Sequence, residues 1–239
     1  MLKKINPILL SFLVVISLLP IVIAESVESE SSIDTNSEAL NTSLSSSMAN
    51  VIFDGQWSNK LEWKESTLQE LFDPEYPMIL RIAHYDGYLY IHMNNLFDLT
   101  NHRSADRSIV CLSSVVNDEH QTPMCFVASR GITTGHVLIG NSISALNGGY
   151  KIINISEHFE AVGNTSSETD RYMLTPHAVY EFKIPLSLFE ESQNYKIFLR
   201  TIDNQNVYSY PEYDSELKYA IPPVSMWADL SSKDKSLHQ

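Results

Sequence analysis

The chain has 239 residues with 16 Lys and Arg against 29 Asp and Glu, a formal charge of −13. Such an acidic chain has no electrostatic reason to hold nucleic acid. It is long enough for a domain with a real hydrophobic core.

Residues 1–24 read as a secretory signal: Lys3 and Lys4, an uncharged apolar run from Ile8 to Leu19, then Val22-Ile23-Ala24 at the cleavage positions. The run is short for a comfortable membrane span, although an uncleaved anchor is the alternative. Cleavage would remove two Lys and no acid, taking −13 to −15. The mature protein is thus expected to be secreted, extracellular or at the cell surface, with no later transmembrane span. Residues 25–49 hold nine Ser and five acids but no aromatic residue. They predict a disordered stalk, because they cannot bury enough apolar surface to offset ordering.

A domain is predicted over residues 50–225, followed by a flexible tail over 226–239. Val51-Ile52-Phe53 reads as a short strand, and Ser66-Thr67-Leu68-Gln69 has capping-box spacing, predicting one short helix to about Phe72. Asp73-Pro74 and Tyr76-Pro77 end it. Ile79 to Asn94 then forms two alternating runs around Asp86-Gly87, the pair best suited to a two-residue type I′ turn. With these as central turn residues, His84 faces Leu89, Ile82 faces Ile91 and Leu80 faces Met93. The Leu80, Ile82, Ile91, Met93 side is the core face; Arg81, Ala83, Tyr85, Tyr88, Tyr90 and His92 occupy the other.

Further strands are predicted at Ser108–Val116, Met124–Ser129, Val137–Ile139, Tyr150–Ile155, Val179–Ile184, Tyr195–Ile202 and Val207–Tyr210, with a turn at Leu186–Phe189. Asn117–Pro123 and 156–171 read as loops. Many short strands with turns between them indicate an all-β, antiparallel two-sheet β-sandwich. The midpoint of Cys111 and Cys125 is Asp118, inside the first of those loops. A hairpin centred there sets the two cysteines opposite each other, within reach of a disulfide, and export favours forming one.

Several motifs occur in a recognisable order: Phe53-Asp54-Gly55-Gln56-Trp57, then Tyr85-Asp86-Gly87-Tyr88-Leu89-Tyr90-Ile91, Asp106 before Ile109-Val110-Cys111-Leu112, and Tyr180-Glu181-Phe182-Lys183-Ile184-Pro185-Leu186. Over roughly residues 50–205 this order resembles the family-nine carbohydrate-binding modules of the DOMON-like group. The resemblance implies a sandwich that binds sugar on aromatic side chains, sometimes with structural calcium. Related DOMON-like domains hold haem between a Met and a His or Lys, and an electron-transfer domain of that kind is the alternative, with Met93 or Met124 as ligand. A structural module binding a protein partner at the cell surface is the third.

Sugar rings present flat apolar faces to aromatic side chains. The carbohydrate-binding candidates are therefore Trp57, Trp63, Tyr85, Tyr88 and Tyr90, with Arg81 and His92 as hydrogen-bond donors. The competing reading is that the aromatics pack the sheet. Asp98 and Asp106 flank a polar segment that reads either as a solvated acidic loop or as a calcium site. His84, beside the turn, reads as a structural histidine. No zinc spacing, G-x-S-x-G or phosphate-gripping glycine loop is present, so the chain is not expected to be an enzyme. Asn41, Asn154 and Asn164 stand in N-x-Ser sequons, the acceptor pattern for N-glycosylation.

Overall fold

The computed structural model describes residues 39–59, 61–72, 74–140, 151–155, 158–204, 206–213, 220–232 and 237. The signal sequence, the stalk as far as residue 38, and Ser156 of the Asn154 sequon lie outside them. Fourteen strands are described: β1 (Leu40–Leu44), β2 (Thr67–Leu71), β3 (Met78–Tyr85), β4 (Tyr88–Asn95), β5 (Arg107–Val116), β6 (Glu119–His120), β7 (Met124–Ser129), β8 (His136–Ile139), β9 (Lys151–Ile153), β10 (Glu160–Thr165), β11 (Ala178–Pro185), β12 (Asn194–Asp203), β13 (Asn206–Tyr210) and β14 (Ala228–Ser232). Among the described residues the only helical elements are four 3-10 turns, and no helix is long and apolar enough to cross a membrane.

The β3–β4 hairpin has the register that Asp86-Gly87 dictates. Tyr85 pairs Tyr88, Ile82 pairs Ile91 and Leu80 pairs Met93, and both turn residues have positive φ, 49° and 75°. That is the type I′ geometry. Strand order β10-β11-β4-β3 makes one sheet, and β14-β12-β5-β7-β8-β9 the other. Strand β1 belongs to both: Leu40 to Thr42 run parallel to Leu230 to Ser232, and Ser43 and Leu44 run parallel to Ala83 and His84. At the opposite corner Gly163 bridges to Arg130 and Ile132. A Cβ on Gly163 would lie 2.6 Å from the Ser129 carbonyl oxygen, so only glycine permits the sheets to meet there.

The core between the sheets joins Leu80, Ile82, Ile91, Met93, Tyr180 and Phe182 to Val110, Leu112, Phe126, Ile197 and Leu199, all fully or almost fully buried. The predicted core face of the hairpin is therefore the observed one. Cys111 and Cys125 pair directly across β5 and β7 and are joined by a disulfide, with Cα atoms 4.0 Å apart. The turn itself is centred on Asn117-Asp118, both at positive φ, and one extra residue before β7 restores the cysteine register.

Five expectations are corrected. The predicted helix at Ser66–Phe72 is β2, antiparallel to β3 from Thr67–Ile82 to Leu71–Met78. The capping-box signal is local and worth about 1 kcal/mol, whereas β3 offers a full ladder of backbone partners. Val51–Phe53 forms no ladder. The predicted loop at 156–171 contains β10, which edges β11. The end of the predicted stalk is β1, whose Leu40 and Thr42 are buried. Finally, the predicted tail contains β14, seated between β1 and β12.

Candidate functional site

Strand alternation places Arg81, Ala83 and Tyr85 of β3, Tyr88, Tyr90, His92 and Asn94 of β4, and Glu181 and Lys183 of β11 on one outer face. This face is not an open platform. The segment from Met48 to Ser66 lies over it, and Trp63 is completely buried against Tyr90 and Ala83. The fully buried Glu181 pins that segment: one carboxyl oxygen accepts the Gly55 N–H at 2.7 Å, the other the Trp63 indole N–H at 3.1 Å. Burial pushes the Glu181 carboxyl well above the usual carboxylate range, although both hydrogen bonds pull the other way. Glu62 holds the segment's own fold by accepting from the backbone of Ile52 and Ser58, each at 2.7 Å.

Beside Glu181 on the ladder, His92 is fully buried between the rings of Trp63 (centroids 5.2 Å apart) and Trp57 (5.9 Å). Among the described residues neither of its ring nitrogens has a hydrogen-bond partner. Burial first, then the charge of Arg81 and the neighbouring His177, holds its pKa down to about 3, so it packs as a neutral ring. Arg81 donates to the Tyr172 hydroxyl and to the Trp63 and Ser66 carbonyls, and its guanidinium lies 5.5 Å from the Trp57 ring centroid. Trp57 is half-buried and also meets Tyr172 and the Arg171 guanidinium. Trp57, Trp63, Arg81 and His92 thus hold the covering segment to the sheet. Trp57 and Trp63 have the packing environment of the competing reading.

The cover stops short of the Asp86-Gly87 turn. There a cup of about 300 Å³ opens between Met48, Ala49, Val51 and Phe53 on one side and Tyr85, Asp86, Tyr88, Tyr90, Glu160 and Lys183 on the other. Tyr85 and Tyr88 are half-buried, while Tyr90 is only 4% exposed and packs on Phe53 with centroids 6.1 Å apart. Lys183 donates to Glu160 at 3.1 Å, and its ammonium sits 4.7 Å from the Tyr88 ring centroid. Burial, with the nearby Tyr88, Asp86 and Glu160, pushes the Tyr90 hydroxyl up to about 12. The cup therefore joins aromatic area to a donor and two carboxylate acceptors, the composition of a small polar-ligand site.

Of the seven sequence candidates, the structure brings Tyr85, Tyr88 and Tyr90 to this cup, Trp57 and Trp63 into the cover, and Arg81 and His92 beneath it. Glu160, Lys183, Asp86 and Phe53 complete it. Lys183 and Glu181 share a face by simple alternation against Tyr180, Phe182 and Ile184. Glu160 lies in the segment read as a loop, and the close approach of Phe53 follows only from the covering segment.

Asp98 and Asp106 are both fully buried rather than solvated. Arg130, 1% exposed, donates to Asp98 at 3.0 Å and to the Thr100 carbonyl at 2.8 Å, and lies 3.5 Å from Asp106. Asp106 also accepts the backbone N–H groups of His102 at 2.7 Å and Asn204 at 3.2 Å. A calcium ion needs six to eight oxygen ligands turned toward it. Here the Arg130 guanidinium stands between the two carboxylates, and backbone N–H groups take both Asp106 oxygens. Asp98 Oδ2 has no hydrogen-bond partner among the described residues, and Asp106 gathers with His102 and Asp203. Burial, reinforced by Asp106 and opposed by Arg130, pushes Asp98 up to about 7. Met93 stands between Leu80 and Tyr180 on the inner ladder, not opposite a His or Lys. His84 makes a structural contact with the Ser232 hydroxyl at 2.8 Å.

Of the sequons, Asn154 is exposed. Asn41 sits in β1 opposite Ser231, and the Asn164 amide donates to the Asp54 carbonyl at 2.9 Å. A second, apolar hollow of about 330 Å³ lies among Phe72, Tyr76, Leu96, Phe97, Leu99 and Tyr208, with no charged group in its lining.

No family model matches the sequence, and no curated protein matches it. Two solved structures similar to this chain are of the kind that its motif order resembles. One is a family 9 carbohydrate-binding module from Caldicellulosiruptor kristjanssonii in complex with glucose, 12% identical, with a TM-score of 0.47 over 82% of this chain and 96% of that one. The other is such a module from the same organism in complex with cellotriose, 10% identical, with a TM-score of 0.45 over 82% and 94%.

Proposed function

We propose that the protein is an exported, non-catalytic β-sandwich that binds carbohydrate in the cup beside the Asp86-Gly87 turn, acting on glycans at or outside the cell surface. The observation that carries this reading is the pairing of half-buried Tyr85 and Tyr88 with Lys183 and Glu160 around about 300 Å³. Aromatic rings supply area for the apolar face of a pyranose, and the charged pair supplies a donor and an acceptor for its hydroxyls. The volume suits one or two sugar rings, at the small end of ligand pockets. Calorimetric titration of the whole chain with glucose and short glucans tests the reading. Saturable binding that is lost in Tyr88→Ala, with the circular dichroism spectrum unchanged, is the expected result. Binding that survives Tyr88→Ala places the site elsewhere and overturns the assignment.

A further inference from the structure

The cup is unequal in charge. Its lining carries two carboxylates, Asp86 and Glu160, against one cation, Lys183, and four aromatic rings, Phe53, Tyr85, Tyr88 and Tyr90. Aromatic faces carry negative potential and attract ammonium groups. An ammonium already lies on them: the Lys183 side chain, bent over Tyr88 at 4.7 Å and tied to Glu160 at 3.1 Å. Asp86 is exposed at the tip of the turn, and among the described residues no ion pair engages it. A ligand bringing its own positive charge therefore meets one carboxylate without a cation and a ring set that holds ammonium within the fold. A ligand bringing a carboxylate meets only repulsion, since the one cation is already paired.

We infer that the cup selects amino sugars, hexoses with a free protonated amine, over neutral and acidic sugars, with Asp86 and the tyrosine rings as the selecting groups. This inference rests on the cup being the sugar site and goes on to the class of sugar. It explains the placement of Lys183 on the Tyr88 ring as an internal counterpart of the ligand amine.

Four probes decide the matter: glucosamine, N-acetylglucosamine, glucose and glucuronate, titrated into the whole chain at mildly acidic pH. Glucosamine is expected to bind about tenfold more tightly than N-acetylglucosamine or glucose, with glucuronate weakest. Added salt is expected to narrow the gap, because the rim is exposed. Asp86→Asn keeps a residue that tolerates the positive φ of the turn, so its fold is retained. It is expected to lower the glucosamine preference several-fold, and Lys183→Met to raise it. Equal binding of glucosamine and glucose, or a preference for glucuronate, overturns the inference and leaves sugar binding standing. Failure of all four probes to bind removes the sugar site itself, and the inference with it.

Discussion

Over Ile109, Cys111, Cys125 and Phe198 the chain lays Ile221, Val224 and Trp227; over Arg81, His92 and Glu181 it lays Trp57 and Trp63. Both outer faces of the sandwich are roofed by a segment without strands, and both roofs rest on apolar clusters, but they differ in how many buried hydrogen bonds tie them down. The first is a small second core, with Phe198 and Trp227 stacked at 6.1 Å and the indole N–H satisfied by the Pro222 carbonyl. Apolar contacts are non-directional, so this roof seals wherever it lies. It is tied to a buried ionisable group where Arg200 donates to the Ala220 carbonyl. The second roof adds to its cluster of Met48, Trp63, Ala83 and Tyr90 several directed hydrogen bonds to the buried Glu181 and Arg81. Directed contacts anchor points rather than areas, and the sheet beyond the last anchor stays open as the tyrosine cup.

The largest expected difference comes from the apolar roof. Trp227→Ala removes a fully buried side chain and is expected to cost about 4 kcal/mol in urea unfolding. A loss below about 1 kcal/mol would show that this face is not a second core. Next, replacing Cys111 and Cys125 together by Ala opens a loop of sequence separation 14 and is expected to cost about 3 kcal/mol. Mass spectrometry of the non-reduced protein checks the bridge independently, since alkylation without prior reduction would deny it.

The polar roof is expected to respond to pH instead. An acid whose pKa is higher folded than unfolded keeps its proton in the fold, so stability falls as pH rises through the interval. Glu181 acts in this sense from its ordinary value of 4.5 upward, and Asp98 between 3.8 and about 7. His92, at about 3 against 6.5, acts in the opposite sense, adding stability as pH rises between those values. The effects oppose one another below pH 6.5, above which His92 is neutral in both states. Stability is therefore expected to fall from there through about pH 7, where Asp98 titrates, and onward for as long as Glu181 keeps its proton, by at most about 1.4 kcal/mol per pH unit for each proton. Glu181→Gln is expected to flatten that decline. An unchanged slope in this variant would show that Glu181 is not the titrating group.

Tyr88→Ala has the smallest expected effect on stability, below about 1 kcal/mol, because the ring is only half-buried. Tyr90→Ala, at 4% exposure, is expected to cost more than twice as much. The pair thus separates ligand contact from packing on alternate, same-face positions of one strand.

Legibility in the sequence followed the range of the interactions. The Asp86-Gly87 register and the Cys111–Cys125 pairing are set within a hairpin, and the spacing alone located both. The helix predicted at Ser66–Phe72 failed because a local cap competed with the distant edge of β3. The tyrosine face was found, but not its cover, since nothing local in Gly55 or Trp63 announces a carboxyl more than a hundred residues away. Asp98 and Asp106 looked solvated for the same reason: Arg130, which neutralises them, arrives from another strand.

Strand β1 has a further consequence for any attempt to isolate the sandwich. Its five residues, LNTSL, lie parallel to β14 with one half and to β3 with the other, and form the only described ladder joining the two sheets on that side. A fragment cut at residues 50 and 225 would lose this splice together with β14, baring the hydrogen-bonding edge of β12 where Tyr195 to Ile197 now pair. Such an edge is a template for any extended chain nearby. The fragment would invite self-association through donated strands, and the smallest self-contained unit therefore begins before Leu40 and extends beyond Ser232.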